Sequence, residues 1–321
     1  MTAAAPTAPA RPIPLTVVGG FLGAGKTTLV NAVLAQAQAR RLAIIVNDFG
    51  ALSIDSALVS SRGQRTVSLA NGCVCCTLVN GLAQALLDVL SFDPPPDHVL
   101  IEASGVADPR RIAQIARADR AFAQDATVVL AAADQIRTLA SDRYVGDTVV
   151  RQLVAADLIV LNKVDLVDQG DSDAIAGWLH DVANGARVVR VAHAALPCDV
   201  VLGLRGTDGT ASDRVSPGWR RLRGYPVVDH GSTFATRTFR RDEPLCEAAL
   251  RDALDALPHG LLRAKGFVRF DSAAERVHLV QAVGRRWSIT PAPPGASATP
   301  CTLVVVGTAA LSSDDDLAQV A

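Results

Sequence analysis

The segment Gly20 to Thr27, which reads GFLGAGKT, constrains the fold of this chain more than any other. It matches the pattern G-x-x-x-x-G-K-[ST] and lies between a short apolar run, LTVV, and a helical pattern, TTLVNAVLAQAQAR. In that context the glycines let backbone N–H groups point at phosphate oxygens, and the helix N-terminus adds a favourable dipole. The alternative is an ordinary glycine-rich turn, but the strand and helix flanks favour a phosphate-binding loop. Lys26 is then expected to reach the β- and γ-phosphates, and Thr27 to hold Mg²⁺.

The alternation of strand and helix continues to about residue 205. Apolar runs that predict strands lie at 15–18, 42–46, 66–69, 98–102, 127–132, 158–162 and 188–192. Continuous apolar strands alternating with helices predict an α/β fold with a doubly wound, mainly parallel sheet. In such a sheet, ligands bind beyond the carboxyl ends of the strands.

A change of composition divides the chain. Residues 206–231 are rich in Gly, Ser, Asp, Pro and Arg, which predicts a linker. Beyond it, three or four strands and two helices predict a small α+β domain with an antiparallel sheet. We therefore expect a flexible N-terminus at 1–12, a nucleotide-binding domain at 13–205 and a C-terminal domain at 232–321.

Charge and hydropathy exclude several classes of partner. The net charge of -1 gives no electrostatic case for nucleic acid or an acidic membrane surface. No apolar run approaches the roughly 18 residues that span a bilayer, and the N-terminus lacks the pattern of a secretory signal. We therefore expect a cytoplasmic protein with neither a nucleic-acid nor a membrane partner.

Lysine is rare in this chain. Of 31 basic residues only three are lysine, namely Lys26, Lys163 and Lys265. Because arginine serves almost everywhere else, a remaining lysine is a candidate for a place that needs a compact ammonium group. Two of the three lie in motifs that bind nucleotide.

The second such motif is NKVD, Asn162 to Asp165, at the end of an apolar strand. The Asp165 carboxylate can accept hydrogen bonds from the N1–H and 2-amino groups of guanine, a donor pair that adenine lacks. The stem of Lys163 can lie across the base. Four residues alone are also compatible with a strand-end turn, but downstream of a phosphate-binding loop they favour GTP over ATP.

Two further strand ends carry acidic residues. Glu102, in IEASG, follows a buried strand and suits a place beside Mg²⁺ or its waters, while Gly105 can donate its N–H to a γ-phosphate and act as a pivot. The alternative is that Glu102 caps the helix that starts near Asp108. Asp48, in NDFGALSID, follows the second strand where a switch loop would lie, but alone it is equally compatible with an Asx turn.

Half of the six cysteines fall in NGCVCCTL, as Cys73, Cys75 and Cys76. Thiolates suit Zn²⁺ and similar soft metals, yet three of them supply at most three of the four ligands of a closed tetrahedral site. An incomplete set suits a metal that is held and then handed over, with Asp48 as a candidate oxygen ligand. Burial as small apolar side chains and a redox pair remain alternatives.

Taken in order, GGFLGAGKTTLVN, NDFG, NGCVCC, IEASGVADP and NKVD resemble the CobW-like family of P-loop GTPases. RAKGFVRF, VGRRWSI and LVVVGTAALSSDDDL resemble the small C-terminal domain of the same family, so the resemblance covers about residues 13–320. Members of this family are cytosolic metallochaperones or metal-insertion GTPases.

The resemblance implies a role for each matching residue. Phosphates and Mg²⁺ would be bound by Gly20, Gly23, Ala24, Gly25, Lys26, Thr27 and Thr28. Guanine would be read by Asn162, Lys163 and Asp165. The cargo metal would be held by Cys73, Cys75 and Cys76, and Glu102 and Gly105 would couple that metal to the nucleotide state.

Three departures from the family pattern matter. Asp48 stands where the family usually has Glu, so its side chain is one methylene shorter. Ala103 stands where a hydroxyl is common. The interdomain span holds His230 in place of a histidine-rich tract, which leaves His230 as a weak candidate for an accessory ligand.

The sequence therefore predicts a slow GTPase (GTP to GDP and phosphate) that carries Zn²⁺ or Co²⁺ to a client metalloprotein or metal-insertion machinery, with transfer coupled to hydrolysis. Its main rival is a nucleotide-regulated thiol redox or regulatory module. A third hypothesis, an ATP-dependent scaffold for iron–sulfur assembly, conflicts with Asp165. The metal, the client and the oligomeric state stay open, and a homo-oligomer is compatible with the sequence.

Overall fold

The chain divides into two compact units, Met1–Leu202 and Gly203–Ala321. The computed structural model describes residues 11–37, 40–46, 65–68, 77–204, 234–258, 260–293 and 295–308. Across these ranges no helix is both long and apolar enough to cross a membrane.

The first unit is built on a parallel sheet, for which the described residues supply seven strands. In chain order they are β1 (Ile13–Gly20), β2 (Leu42–Val46), β3 (Arg65–Ser68), β4 (His98–Glu102), β5 (Phe122–Ala132), β6 (Leu158–Asn162) and β7 (Arg187–Arg190). Their order across the sheet is β3-β2-β4-β1-β5-β6-β7, and every pairing is parallel. The predicted α/β fold is confirmed, and each of the seven apolar runs forms a strand.

Helices connect these strands. Within the described ranges the helices of this unit are α1 (Lys26–Gln36), α2 (Thr77–Leu90), α3 (Pro109–Arg117), α4 (Ile136–Ala140), α5 (Gly146–Val154), α6 (Gln169–Val182) and α7 (Cys198–Leu202). All five residues of β2, β4 and β6 are buried, as expected of central strands covered on both faces. Apolar residues of α2 and α3 join one core with β1, β2 and β4, and those of α5 and α6 join a second core with β5 and β6.

The short helix α7 is tied to β1 and to the far end of α1. The Thr16 hydroxyl, on β1, donates to the carbonyl of Val201 at 3.0 Å and accepts a hydrogen bond from Nε2 of His98 at 2.9 Å. Gln36, the last residue of α1, donates to the carbonyl of Leu196 at 3.1 Å and accepts from the backbone N–H of Cys198 at 3.0 Å. The start of α7 is therefore fixed to the helix that begins at the phosphate-binding loop.

An ion pair strengthens the same attachment. The Arg40 guanidinium lies 2.5 Å from a carboxylate oxygen of Asp199 and also donates to the carbonyl of Leu202 at 3.3 Å. The Arg40 side chain is 9% exposed, so this pair is less screened by solvent than an ordinary surface pair.

The second unit is an antiparallel sheet packed against one helix in the described ranges, α8 (Glu247–Asp255). Its strands are β8 (Phe234–Arg241), β9 (Leu261–Phe270), β10 (Ala273–Val283), β11 (Arg286–Pro291) and β12 (Cys301–Thr308). Their order is β11-β10-β9-β12-β8, with antiparallel pairing throughout. The predicted α+β class is confirmed.

The expected three or four strands were too few, because the described part of this unit contains five. The run RVHLVQAVGRRWSI folds back on itself: Val283 pairs with Arg286 across a two-residue turn, and Gly284 takes a φ of 55°. Glycine adopts such a φ at little steric cost. The predicted second helix, LSSDDDLAQV, lies outside the described residues.

Candidate nucleotide site

The loop at residues 21–25 connects β1 to α1, as its motif predicts. Gly20, Gly23 and Gly25 have positive φ angles of 130°, 75° and 102°. A Cβ at Gly20 would lie 2.4 Å from the carbonyl oxygen of Leu130, so a larger residue does not fit there. A Cβ at Gly23 would meet no described atom within 4 Å. The backbone at Gly23 therefore borders open space, which close approach of a phosphate requires.

Lys26 is buried at the start of α1, with 8% of its surface exposed. Its Nζ donates to the carbonyl of Phe21 at 3.1 Å, so the side chain reaches back across the loop. Ala24 is buried, whereas Thr28 is exposed in the first turn of α1. The Lys26 ammonium group thus lies against the backbone of the phosphate-binding loop.

Thr27 and Glu102, the two residues expected to hold Mg²⁺, are in contact although they lie 75 positions apart. The Thr27 hydroxyl donates to Oε1 of Glu102 at 2.7 Å, and Glu102 is 3% exposed. A hydroxyl and a carboxylate are oxygen donors of the type that Mg²⁺ takes alongside substrate phosphates. The donor set therefore fits that ion.

Glu102 does not serve as the cap of the next helix. Asp108 is the N-cap of α3: its carboxylate accepts from the backbone N–H of Arg110 at 2.9 Å, and Pro109 occupies the first helical position. The helix start is thus satisfied locally, and the Glu102 carboxylate faces the phosphate-binding loop instead.

Gly105 packs directly against that loop. An ideal Cβ at Gly105 would lie 2.4 Å from Cδ2 of Leu22 and 2.9 Å from its backbone nitrogen. Only a residue without a side chain fits this gap. The end of β4 and the turn after it therefore meet the phosphate-binding loop at two points, Glu102 at Thr27 and Gly105 at Leu22.

Gln152 of α5, which sequence reasoning missed, holds the same turn from its other side. Its Nε2 donates to the carbonyl of Gly105 at 3.0 Å and to that of Ala107 at 2.9 Å, and the residue is 2% exposed. The sequence did contain a signal. Gln152 follows Val149 by three positions and precedes Leu153, and both of these apolar residues are buried, so Gln152 lies on the buried face of its helix.

Ser104 was missed as well. It lies between Glu102 and Gly105 and is 9% exposed. Among the described residues its Oγ has no hydrogen-bond partner. A buried hydroxyl without a partner among the described residues is a candidate donor and acceptor at the carboxyl end of β4.

Asn162 joins the NKVD motif to the phosphate-binding loop. Its Nδ2 donates to the carbonyl of Ala24 at 3.0 Å, and its Oδ1 accepts from the backbone N–H of Ala194 at 2.8 Å. A Cβ at Gly25 would lie 2.5 Å from that Nδ2, so the glycine makes room for the contact. Asn162 is 3% exposed, and its amide therefore works chiefly as a brace between two loops.

The other members of NKVD lie closer to solvent. Lys163 is half-buried and has a φ of 60°, and Asp165 is exposed on a single 3-10 turn, Val164–Leu166. After β7, His193 and Ala194 also take positive φ angles, of 52° and 54°. Left-handed backbone at two consecutive non-glycine residues is uncommon and is found where surrounding structure enforces it. Here the Asn162 bond to Ala194 supplies part of that constraint.

Five predicted site residues, Asp48, Cys73, Cys75, Cys76 and His230, lie outside the described residues. Within the described ranges, no three side chains of His, Cys, Asp or Glu come together as a metal site. The three remaining cysteines are separate: Cys198 is half-buried, Cys246 exposed and Cys301 buried.

Both units of the chain match known protein families. Residues 14–190 match the family described as CobW/HypB/UreG, nucleotide-binding domain, which is more than half of the chain. The chain belongs to the CobW/HypB/UreG family. Residues 234–318 match the cobalamin synthesis protein CobW C-terminal domain, so both units carry the sequence of CobW proteins. The predicted family is confirmed.

Several curated relatives of CobW type align along most of their length. The zinc chaperone CobW of Pseudomonas aeruginosa is 33% identical over 86% of this chain and 81% of its own. The zinc chaperone CobW of a Sinorhizobium species is 30% identical over 85% and 86% of the two chains. The zinc chaperone YjiA of Escherichia coli is 31% identical over 86% and 88%.

As a member of the CobW/HypB/UreG family with an intact phosphate-binding loop and an NKVD motif, the chain is a GTPase. Its substrate and product are accordingly GTP and GDP.

Proposed function

We propose that this GTPase is a zinc chaperone, which binds Zn²⁺ at Cys73, Cys75 and Cys76 and releases it to a client metalloprotein in step with GTP hydrolysis. Relatives named zinc chaperones align with the chain over four-fifths or more of both lengths, which supports the proposal. Three thiolates also form a donor set that suits Zn²⁺. Because thiolates bind metal only while they are reduced, the proposal includes a cytosolic location.

One observation carries this proposal. In the sheet, β3, β2, β4 and β1 are consecutive parallel neighbours, so the segments that follow them all begin at one edge. These segments are, respectively, the cysteine segment, the Asp48 segment, the turn with Glu102 and Gly105, and the phosphate-binding loop. With neighbouring strands about 4.8 Å apart, the four starting points span roughly 14 Å. The segment that leads to the cysteines therefore begins close to the phosphate-binding loop, which supports coupling between the two.

At the phosphate end, we propose that the backbone of Gly23, Ala24 and Gly25 and the Lys26 ammonium bind the phosphate oxygens, with Thr28 beside them. Thr27 and Glu102 would hold Mg²⁺, which neutralises phosphate charge during phosphoryl transfer when it is bound. The Thr27–Glu102 hydrogen bond supports this role, because it brings both oxygen donors to one point. The Lys26 ammonium donates to the Phe21 carbonyl and, with three N–H groups, would also donate to phosphate oxygens.

At the base end, we propose that Asp165 accepts the two guanine donors and that the stem of Lys163 covers the ring. The exposure of Asp165 supports this role. Binding a base removes water from this carboxylate, and only a base that offers two donors replaces the lost hydrogen bonds. Asn162 would then act by keeping the base loop and the phosphate-binding loop in register.

Coupling between the nucleotide and the zinc ion is the remaining part of the proposal. A γ-phosphate would bind the Gly105 N–H and draw in Asp48, which completes the zinc site as a fourth ligand. Loss of that phosphate on hydrolysis would release both segments and lower the affinity for zinc. His230 stays a candidate for an accessory zinc ligand. The surface of the client protein would complete the active site and so raise its slow rate of hydrolysis.

Zinc binding measured by competition with a chromophoric chelator tests the proposal. We expect one Zn²⁺ per chain, bound at least tenfold more tightly with Mg²⁺ and a non-hydrolysable GTP analogue than with GDP, a coupling within the usual 5- to 150-fold range. Cys75→Ala combined with Cys76→Ala should abolish that binding. The matched control is Cys246→Ala, because Cys246 is exposed in the other unit and lies outside the cysteine segment.

Two outcomes would contradict the proposal. Equal zinc affinity in both nucleotide states would remove the coupling, and unchanged affinity in the double variant would remove the cysteine site. Thiol counting after mild oxidation separates the redox alternative: rapid disulfide formation that Zn²⁺ does not slow would favour a thiol switch over a chaperone.

A further inference from the structure

The turn between β4 and α3 is held from two sides by elements that are far apart in the sequence. On one side Gly105 packs against the backbone nitrogen of Leu22 in the phosphate-binding loop. On the other side the Gln152 side chain, 47 positions away on α5, donates to the carbonyls of Gly105 and Ala107. Gln152 lies in none of the nucleotide-binding motifs.

The chemistry of the amide fits this task closely. A glutamine Nε2 carries two hydrogens, and each of them has its own carbonyl acceptor here, at 3.0 and 2.9 Å. A buried amide is tolerated only where its donors are bonded, and Gln152 is 2% exposed. The two bonds hold the 105–106 and 107–108 peptide planes, which flank the peptide that joins Val106 to Ala107.

We propose that Gln152 is a positioning residue, which sets the Gly105 backbone at the distance where it contacts the γ-phosphate of GTP. The inference rests on the proposed function only in that it takes Gly105 as a γ-phosphate contact. Gln152 touches no nucleotide and acts through the turn. It therefore raises turnover and the affinity for GTP, and it leaves the affinity for GDP, which lacks the γ-phosphate, nearly unchanged.

The test compares two substitutions at this position with a matched glutamine elsewhere. Gln152→Met keeps the length and apolar stem and removes both donors. Gln152→Glu keeps the shape and turns an acceptor toward the two carbonyls. The control is Gln36→Met, since Gln36 also anchors backbone groups, those of Leu196 and Cys198, at the opposite end of α1 from the phosphate-binding loop.

For each protein we would measure kcat, the affinity for GDP and the affinity for a non-hydrolysable GTP analogue. Because misplacing a catalytic contact by about 1 Å costs up to about 100-fold, we expect Gln152→Met to lower kcat and analogue affinity about tenfold. GDP affinity should change less than about twofold. Gln152→Glu should lower kcat further, and Gln36→Met should leave all three values near those of the wild type.

Three outcomes would overturn the inference: an unchanged kcat, an equal loss of GDP and analogue affinity, or an equal effect in Gln36→Met. The second would mean that Gln152 merely holds the fold. Gly105→Ala, measured in parallel, separates this inference from the proposed function. If Gly105→Ala retains wild-type turnover, the proposed role of Gly105 in binding the γ-phosphate is wrong. If Gly105→Ala loses turnover but the Gln152 variants retain it, only the positioning role of Gln152 is wrong.

A measurement on the wild type needs no substitution at all. The side-chain amide hydrogens of Gln152 should stay protected from exchange in the complex with the GTP analogue, because the anchor holds the turn while the γ-phosphate is bound. Loss of protection in that complex would show that GTP binding breaks the two bonds, and would overturn the positioning role even if both variants failed to fold.

Discussion

The two ends of the proposed nucleotide site differ in how their side chains are held. At the phosphate end, Thr27 of α1 donates to Glu102 of β4, and Lys26 donates to the carbonyl of Phe21 within the loop. At the base end, Asp165 is exposed and Lys163 is half-buried. Hydrolysis needs charges fixed in advance, whereas discrimination between bases needs only one carboxylate that loses its water to the right partner.

Turnover and base choice should therefore be separable by substitution, except at the residue that spans both ends. That residue is Asn162, whose amide bonds to the backbone of Ala24 on one side and of Ala194 on the other. Substitutions at each end, and then at the brace, test how far the two halves are independent.

The largest effect is expected from Thr27→Val, which keeps a β-branched side chain and removes the hydroxyl. It deletes one proposed Mg²⁺ donor and the hydrogen bond to buried Glu102. We expect kcat for GTP to fall roughly 10²- to 10³-fold, as on loss of a group that stabilises transition-state charge. The preference for GDP over ADP should not change.

Thr148→Val serves as the control for Thr27→Val, because Thr148 is a half-buried threonine of α5 that takes no part in the site. Steady-state phosphate release measures both variants. A Thr27→Val protein with turnover within threefold of the wild type would contradict the preorganised phosphate end.

Asp165→Asn breaks the base end alone. The amide can no longer accept from both N1–H and the 2-amino group of guanine, and we expect GDP affinity to fall roughly 10- to 100-fold, since bonds to a charged group contribute about 1.5–3 kcal/mol each. Xanthosine diphosphate, which has a carbonyl in place of that amino group, should bind more tightly than to the wild type. Competition against a fluorescent nucleotide measures both affinities.

Because Asp165 is exposed, Asp165→Asn should leave the free energy of unfolding unchanged within about 0.5 kcal/mol. Asp181→Asn, an exposed position on α6, is the matched control for charge. Retained discrimination between guanine and xanthine in the Asp165 variant would show that another group reads the base.

Asn162→Ala removes the side chain that joins the two ends, so its effects on base binding and on turnover should no longer be independent. It leaves the buried carbonyl of Ala24 and the N–H of Ala194 without this partner, at about 1–3 kcal/mol each. We expect the free energy of unfolding to fall by about 2–4 kcal/mol, and GDP affinity and kcat to fall together, each roughly tenfold. Urea denaturation with and without GDP measures the first effect. Gln169→Ala, at an exposed amide, should cost under about 0.5 kcal/mol.

The smallest effect is expected from Ser104→Ala, and its sign is informative. Since Oγ has no hydrogen-bond partner among the described residues, its removal should leave the free energy of unfolding unchanged or raise it by up to about 1 kcal/mol. Thr16→Val, which deletes a buried hydroxyl with two partners, should lower it by about 2 kcal/mol. Loss of stability in Ser104→Ala equal to that in Thr16→Val would reveal a partner for Ser104 within the fold.

The parallel sheet was predictable because each strand is an apolar run of few residues, and the phosphate-binding loop because glycine, lysine and threonine occur at fixed spacing. The contacts that complete the site were not predictable in the same way. Asn162 meets Ala24 across 138 positions, and Gln152 meets Gly105 across 47. A local pattern shows that a residue faces the core, but which carbonyl it meets depends on how whole helices lie on the sheet. The domain boundaries near 206–231 and the roles of the cysteines stay predictions.

Hydrogen bonds fix helix α1 at both of its ends. It is 11 residues long, or about 16 Å, and begins at the phosphate-binding loop, which Asn162 holds at Ala24. At its other end Gln36 and, just beyond it, Arg40 grip the chain from Leu196 to Leu202. A rod clamped at both ends transmits displacement along its axis instead of absorbing it. A displacement of the loop along this axis would therefore act on the contacts that Gln36 and Arg40 make with residues 196–202.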